Sequence, residues 1–235
     1  LEDYGINAEF TATGHAGLCR FTFPRSGSAH LVLSDVSDVT KVDSNQIRGR
    51  SGGYYFTALF SKPFQSSGPY LQQSKDQSSA FSATGPPGYF INFSTVSNEK
   101  ILVRIGFSLS SYSGVETNIQ KEMPDLDFEE ASMKERRIWN GELSRIEIKT
   151  SNEQQKEIFY TALYHSLFMP ALLSDADSPK KKYTSLFPWD TYRSEHPLIS
   201  ILEPDREGDM ISSELAVYDR TGWLPTGNMM GNHNT

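Results

Sequence analysis

With 235 residues, 37% of them hydrophobic and 12% aromatic, the chain can bury one large core or two smaller ones. Its net charge of −7 disfavours nucleic acid and anionic membrane as partners and suits a neutral ligand. The single cysteine, Cys19, excludes an intrachain disulfide, and no apolar run approaches the roughly 20 residues of a membrane-spanning helix.

Residues from about 7 to 112 predict strands. Ala8–Ala12, Cys19–Phe23, His30–Leu33, Tyr54–Phe60 and Ile101–Phe107 are short and rich in aromatic or β-branched residues. Gly, Ser, Pro and Asp separate them, the pattern of an antiparallel β-sandwich. Gly85-Pro-Pro-Gly88 reads as a turn, and Gln65–Pro69 and Gln72–Ser79 as polar connections. Cys19 fits a small buried hydrophobe, and Asn92-Phe-Ser94 is a glycosylation triplet that counts only in a eukaryotic secretory pathway. His15 sits in a Gly-containing loop, Thr11–Gly17.

From about 124 the period changes to that of helices. Pro124 opens a charged segment running to Leu143, with Phe128, Ala131, Ile138 and Trp139 as its buried positions. Ile146–Ile148 reads as a short strand. Thr150-Ser-Asn-Glu153 reads as a capping box, the Thr hydroxyl and Glu carboxylate each satisfying a backbone donor. The helix it opens carries Ile158/Ala162 and Phe159/Leu163/Leu167 at i,i+4 spacing, with His165 in the same stripe as a satisfied core histidine, and Pro170 ends it. A further helix starts near Pro204, with Ile211, Leu215 and Tyr218 on one face and Gly222 as its C-terminal stop. The expected division is a β-sandwich over 1–122, a helical linker over 123–149 and a helical unit over 150–235. Too few helices follow to close a core, so the helical part is expected to be incomplete.

The densest chemistry lies in Ser185–Leu198, which holds Trp189, Asp190, Tyr192, Arg193, Glu195 and His196. Trp beside Asp suits a sugar: the indole stacks on C–H faces, and the carboxylate accepts hydroxyl hydrogen bonds. The competing reading makes Asp190 a helix N-cap and Trp189 a core anchor.

Four runs in order resemble glycoside hydrolase family 92, the calcium-dependent exo-α-mannosidases. They are Phe159-Tyr-Thr-Ala-Leu-Tyr-His-Ser-Leu167, Leu186-Phe-Pro-Trp-Asp-Thr-Tyr-Arg-Ser-Glu-His-Pro-Leu198, Ser213-Glu-Leu-Ala-Val-Tyr-Asp-Arg-Thr-Gly-Trp-Leu-Pro225 and Met230-Gly-Asn-His233. Tyr55–Phe64 and Trp139–Glu147 also resemble that family's N-terminal region. The resemblance implies a β-sandwich, a helical linker and the first helices of an (α/α)6 barrel. It implies hydrolysis of terminal α-linked mannose from glycans with inversion, calcium as cofactor, and a secreted or periplasmic protein. It implies substrate contacts at Trp189 and Asp190, matching a Trp-Asp pair that lines the mannose subsite, and at Asn232 and His233, matching a segment on the barrel's rim. The family's acid, base and calcium ligands lie beyond its Met-Gly-x-His segment, so no catalytic or metal-binding residue is expected within 1–235. The stretches near 38–54 and 174–184 are shorter than the family pattern.

The remaining candidates have plain roles. Arg193 suits a salt bridge to Glu195 or Asp205 as well as a pocket, His196 before Pro197 suits a turn, and Lys180–Lys182 suits a solvated loop. His15 is a minor contact candidate from the sandwich. The alternative function is a non-catalytic carbohydrate-binding or structural β-module with a helical extension.

Overall fold

The computed structural model describes residues 1–71, 87–185 and 187–227. Its contacts fall into two compact units, Leu1–Glu135 and Arg136–Thr235.

The first unit is built from nine strands: β1 Asn7–Ala12, β2 Ala16–Phe23, β3 Ser26–Ser34, β4 Ser37–Lys41, β5 Gln46–Ser51, β6 Tyr54–Phe60, β7 Ser66–Leu71, β8 Pro87–Thr95 and β9 Glu99–Ser108. They form a six-stranded sheet, β1-β2-β9-β6-β5-β4, and a three-stranded sheet, β3-β8-β7, with every neighbouring pair antiparallel. The five strands predicted between residues 7 and 112 are all present. The inward positions of both sheets meet in one core, where Phe23, Ile47, Phe56, Phe60, Ile91, Phe93 and Ile101 are almost wholly buried. The strands' alternation supplies this core by sending every second side chain inward. Cys19 on β2 packs half-buried against it, and burial pushes its thiol pKa up.

Two loop expectations are corrected. Ser66–Pro69 belongs to β7, since its polar residues pair with β8 along an edge strand, where polar side chains meet water. Pro87 and Gly88, expected within a turn, open β8, while Gly85 and Pro86 lie outside the described residues; a side chain at Gly88 would stand 2.7 Å from the Leu33 carbonyl oxygen. The connection expected at 72–79 lies outside the described residues.

Two helices complete the unit and its boundary: α1 Tyr112–Glu122 and α2 Phe128–Leu143. Ser111 caps α1 by accepting the Gly114 N–H on its hydroxyl. The helix lies on the outer face of the six-stranded sheet against β9, β6 and β2. It approaches closely because Gly106 has no side chain: a Cβ there would meet Ile119 at 2.5 Å and Val115 at 3.1 Å. Asn118, wholly buried, donates to the Phe107 carbonyl. On α2, Phe128 is buried with Leu18 and Met123, and the Arg20 guanidinium lies over its ring. Ile138, expected inside, is 48% exposed.

The second unit contains α3 Glu153–Ser166, α4 Pro188–Thr191, α5 Glu195–Leu202 and α6 Pro204–Thr221. Ile146–Ile148 pairs with no strand and is irregular. The cap of α3 is Asn152, which accepts the Gln155 N–H; Thr150 instead accepts the Asn152 N–H, two residues too early to cap. Leu163 and Leu167 are buried as expected, but Ile158 and Ala162 are exposed, and so is His165. The packed side of this helix runs instead through Tyr164, which meets Trp139 at 4.5 Å and Phe168 at 4.7 Å. On α6 the buried positions are Glu207, Met210 and Ser213; Ile211, Leu215 and Tyr218 remain about half exposed. Gly222 stops this helix in the left-handed region at φ 78°, as predicted.

Candidate functional site

The Trp189–Asp190 pair sits on α4, a single turn of helix. Pro188 suits its first position, because the missing N–H is one the helix leaves unpaired anyway. Phe187 holds the N-cap place with left-handed backbone (φ 38°, ψ 68°) and makes no side-chain cap bond. Its carbonyl accepts the Asp190 N–H at 2.8 Å. Asp190 is therefore inside the turn and not its cap, and the capping explanation for this carboxylate is excluded. The Asp190 side chain is exposed and has no hydrogen-bond partner among the described residues. Trp189 is no core anchor either, at 50% exposure. One side of its indole meets the Phe187 ring at 5.1 Å. Gly227 backs this pair closely; a Cβ there would stand 2.8 Å from the Phe187 ring.

Around this turn the predicted roles separate. Arg193 makes no salt bridge to Glu195 or Asp205 among the described residues; its guanidinium lies 5.8 Å from the Tyr192 ring centre. His196 is on α5, not in a turn, and its Nδ1 lies 3.0 Å from Oε1 of Glu207 on α6. A cavity of about 290 Å³ opens between these helices, lined by Tyr192, His196, Ser200, Glu207, Ile211 and Glu214 among others. Burial pushes the Glu214 carboxyl above the ordinary carboxylate range, with Glu207 adding to the rise and His196 opposing it. Burial also raises Glu195. The loop before α4 is held by antiparallel bonds between Ala171–Leu173 and Lys182–Thr184, and by the Ser213 hydroxyl, which accepts the Tyr183 N–H. Lys180, Lys181 and Lys182 are exposed, as expected of a solvated loop.

Asn232 and His233 lie outside the described residues. Among the described residues no three His, Cys, Asp or Glu side chains cluster to hold a metal ion, so calcium has no fitting ligand set there and no chemical step is assigned to it. No described helix is long and apolar enough to cross a membrane.

His15 is not a free loop residue. It is 8% exposed and bound to Glu122 at the end of α1 through both its ring and its backbone. This buried cluster, with the Thr13 hydroxyl as third donor, joins residues more than 100 positions apart. Nothing local marks it except the small Gly14, whose site abuts the Glu122 carboxylate at 3.4 Å.

Two family models match in tandem. The glycosyl hydrolase family 92 N-terminal domain covers residues 1–108, and the glycosyl hydrolase family 92 catalytic domain covers residues 114–235. The chain belongs to glycosyl hydrolase family 92. Among solved structures it is similar to a family 92 α-mannosidase of Bacteroides thetaiotaomicron, with 27% identity and a TM-score of 0.84 over 99% of this chain and 36% of that one. A family 92 inverting mannosidase of the same bacterium shares the fold, with 23% identity and a TM-score of 0.82 over 98% of this chain and 35% of that one. An uncharacterised secreted glycosidase of Arthroderma benhamiae is 23% identical over 94% of this chain and 31% of its own length. The chain thus spans about a third of the length of these relatives. The fold inferred from the motifs, antiparallel sheets followed by helices, is the fold observed.

Proposed function

We propose that this chain is the N-terminal part of an exo-α-mannosidase that removes terminal α-linked mannose from glycans with inversion. The observation that carries the reading is the match to a family 92 α-mannosidase over 99% of the chain at 27% identity. That relative's structure is also known with mannoimidazole, and this chain matches the complex with a TM-score of 0.82. The match of 114–235 to a catalytic-domain model weighs against a purely sugar-binding module.

Within this reading Trp189 and Asp190 bind the sugar. An exposed carboxylate with no partner among the described residues is free to accept two hydroxyl hydrogen bonds, and the half-exposed indole offers an apolar face for C–H groups. Asn232 and His233 belong to the same proposal on the motif match alone. Calcium dependence is inferred from family membership. A secreted or periplasmic location is inferred from the same source and from the fungal relative's description.

The test is mannose release from an α-linked mannobiose by the polypeptide that carries this chain, with calcium and with a chelator. Release in calcium and loss in chelator are expected. A folded protein that releases no mannose from any α-mannobiose in calcium overturns the reading.

A further inference from the structure

A second constellation stands on the outer face of the sandwich. Strand β5 reads Gln-Ile-Arg-Gly-Arg-Ser, and alternation sends Ile47 and Gly49 inward and Arg48 and Arg50 outward. Ile47 is wholly buried, and a side chain on Gly49 would strike the Phe56 ring at 2.9 Å. The strand therefore cannot rotate to hide its arginines.

Outside, each guanidinium rests on an aromatic ring. Arg50 lies 4.7 Å from the ring centre of Tyr55, its direct cross-strand partner on β6. Arg48 lies 4.8 Å from the ring centre of Tyr112, the first residue of α1. The two tyrosines meet edge to face at 5.0 Å. Three elements thus assemble one Arg–Tyr–Tyr–Arg array.

Its arginines are unspent. The six-stranded sheet carries two others, and both are committed: Arg20 to Glu9 and Glu129, and Arg104 to the carbonyls of Met123 and Pro124. Arg48 and Arg50 make no ion pair or hydrogen bond among the described residues. Of the carboxylates on the flanking elements, Asp38 on β4 and Glu116 on α1 pair with neither among the described residues, and Glu122 at the far end of α1 is taken by His15. In a chain with 29 acidic and 22 basic residues, two adjacent cations left without counter-charge make this face complementary to an anion.

Stacking fixes the plane of a guanidinium and leaves its N–H edge open. Such a fork matches the paired oxygens of an oxyanion, and pre-orientation lowers the entropic cost of binding. The two positions are roughly 7 Å apart along the strand, close enough to address one anionic group and its carrier together.

We propose that Arg48 and Arg50, braced on Tyr112 and Tyr55, bind an acidic glycan residue, a sugar bearing a carboxylate, phosphate or sulfate. The oxyanion part of this proposal rests on the array; the sugar part rests on the function proposed above.

The test is NMR titration of the 235-residue chain, following the arginine side-chain Nε–H resonances. The probes are glucuronic acid, mannose phosphorylated on its primary hydroxyl, neutral methyl α-mannoside and inorganic phosphate. At least one charged sugar is expected to shift the Arg48 and Arg50 resonances, while the neutral mannoside leaves them unmoved. Arg48→Gln and Arg50→Gln are each expected to weaken that binding by about tenfold or more, as loss of a charged hydrogen bond implies, with melting temperature nearly unchanged. Inorganic phosphate acting as strongly as the phosphorylated sugar would mean an adventitious anion only and overturn the proposal. Absence of shifts with both charged sugars overturns it too, and so does binding that survives both Gln variants. Mannose release by the carrying polypeptide reads the enzymic proposal separately, so the two can fail independently.

Discussion

His15 Nδ1 lies 2.6 Å from Glu122 Oε1, and the His15 backbone N–H donates to the other oxygen of the same carboxylate at 2.8 Å. The Thr13 hydroxyl donates to that second oxygen at 2.6 Å. One carboxylate at the end of α1 thus gathers the whole β1–β2 loop. Burial works to raise the Glu122 pKa, but bonds from the His15 ring, the Thr13 hydroxyl and the His15 backbone outweigh it and hold the carboxyl below its ordinary value.

A carboxylate depressed in this way stabilises the fold above its unfolded-state pKa. That contribution is lost as pH falls through the lower folded-state value. Glu122→Gln is expected to cost about 2–3 kcal/mol at pH 7, the scale of charged hydrogen bonds inside a protein. Urea unfolding at pH 7 and in acid measures it. The variant's deficit should shrink in acid, and a deficit independent of pH would contradict the ionised form as the source.

Gly106→Ala is expected to destabilise the sandwich by about 1–3 kcal/mol through overpacking against Ile119 and Val115. The urea midpoint reads this directly. Ile119→Ala in the same chain should recover part of the Gly106→Ala loss, because the colliding atoms are gone.

Asp190→Ala and Asp190→Asn should both leave the melting temperature nearly unchanged, because Asp190 is exposed and caps nothing. In the polypeptide that carries this chain, two charged hydrogen bonds lost in the transition state would lower kcat/KM by about a hundredfold or more. Asn should rescue little, since it offers hydroxyls an uncharged acceptor. Full activity in either variant rejects Asp190 as a sugar ligand.

Glu214 carries the opposite sign. Its raised pKa means that the folded state favours the protonated form, so the ionised form weakens folding as pH rises through the unfolded-state value. Glu214→Gln is expected to raise the melting temperature at pH 7 and to change it little at pH 4. Thermal denaturation at the two pH values checks this.

The sequence revealed strands whose chemistry is one-sided. Tyr54–Phe60 and Ile101–Phe107 carry aromatic and β-branched residues at the centre of the large sheet, and both are found as expected. It concealed β4, β5 and β7, whose Ser, Asp, Gly, Gln and Arg residues match a loop's composition because edge and near-edge strands face water on one side. Strand β8 was missed as well, although Tyr89, Phe90, Ile91 and Phe93 give it a strand's composition. It concealed α1 as well, since that helix needs only Val115, Ile119 and Asn118 to meet the sheet and is otherwise polar. The site divides in the same way. Trp189 and Asp190 are neighbours in sequence, and their pairing was legible. The His15–Glu122 and Arg50–Tyr55–Tyr112–Arg48 assemblies depend on strand register and helix placement, which no local pattern encodes. His165 was misread because apolar spacing places residues on a helix face without stating what that face meets.

Cys19 gives the molecule an internal clock. It is the chain's only thiol, it packs against the sandwich core from β2, and burial keeps it protonated and slow to react. A thiol reagent therefore modifies this chain at a single site, slowly in the folded state and faster when β2 opens, so a change in labelling rate reports on the large sheet without any introduced probe. With no second cysteine to capture it, the exposed thiol cannot lock the opened chain into a wrong internal crosslink.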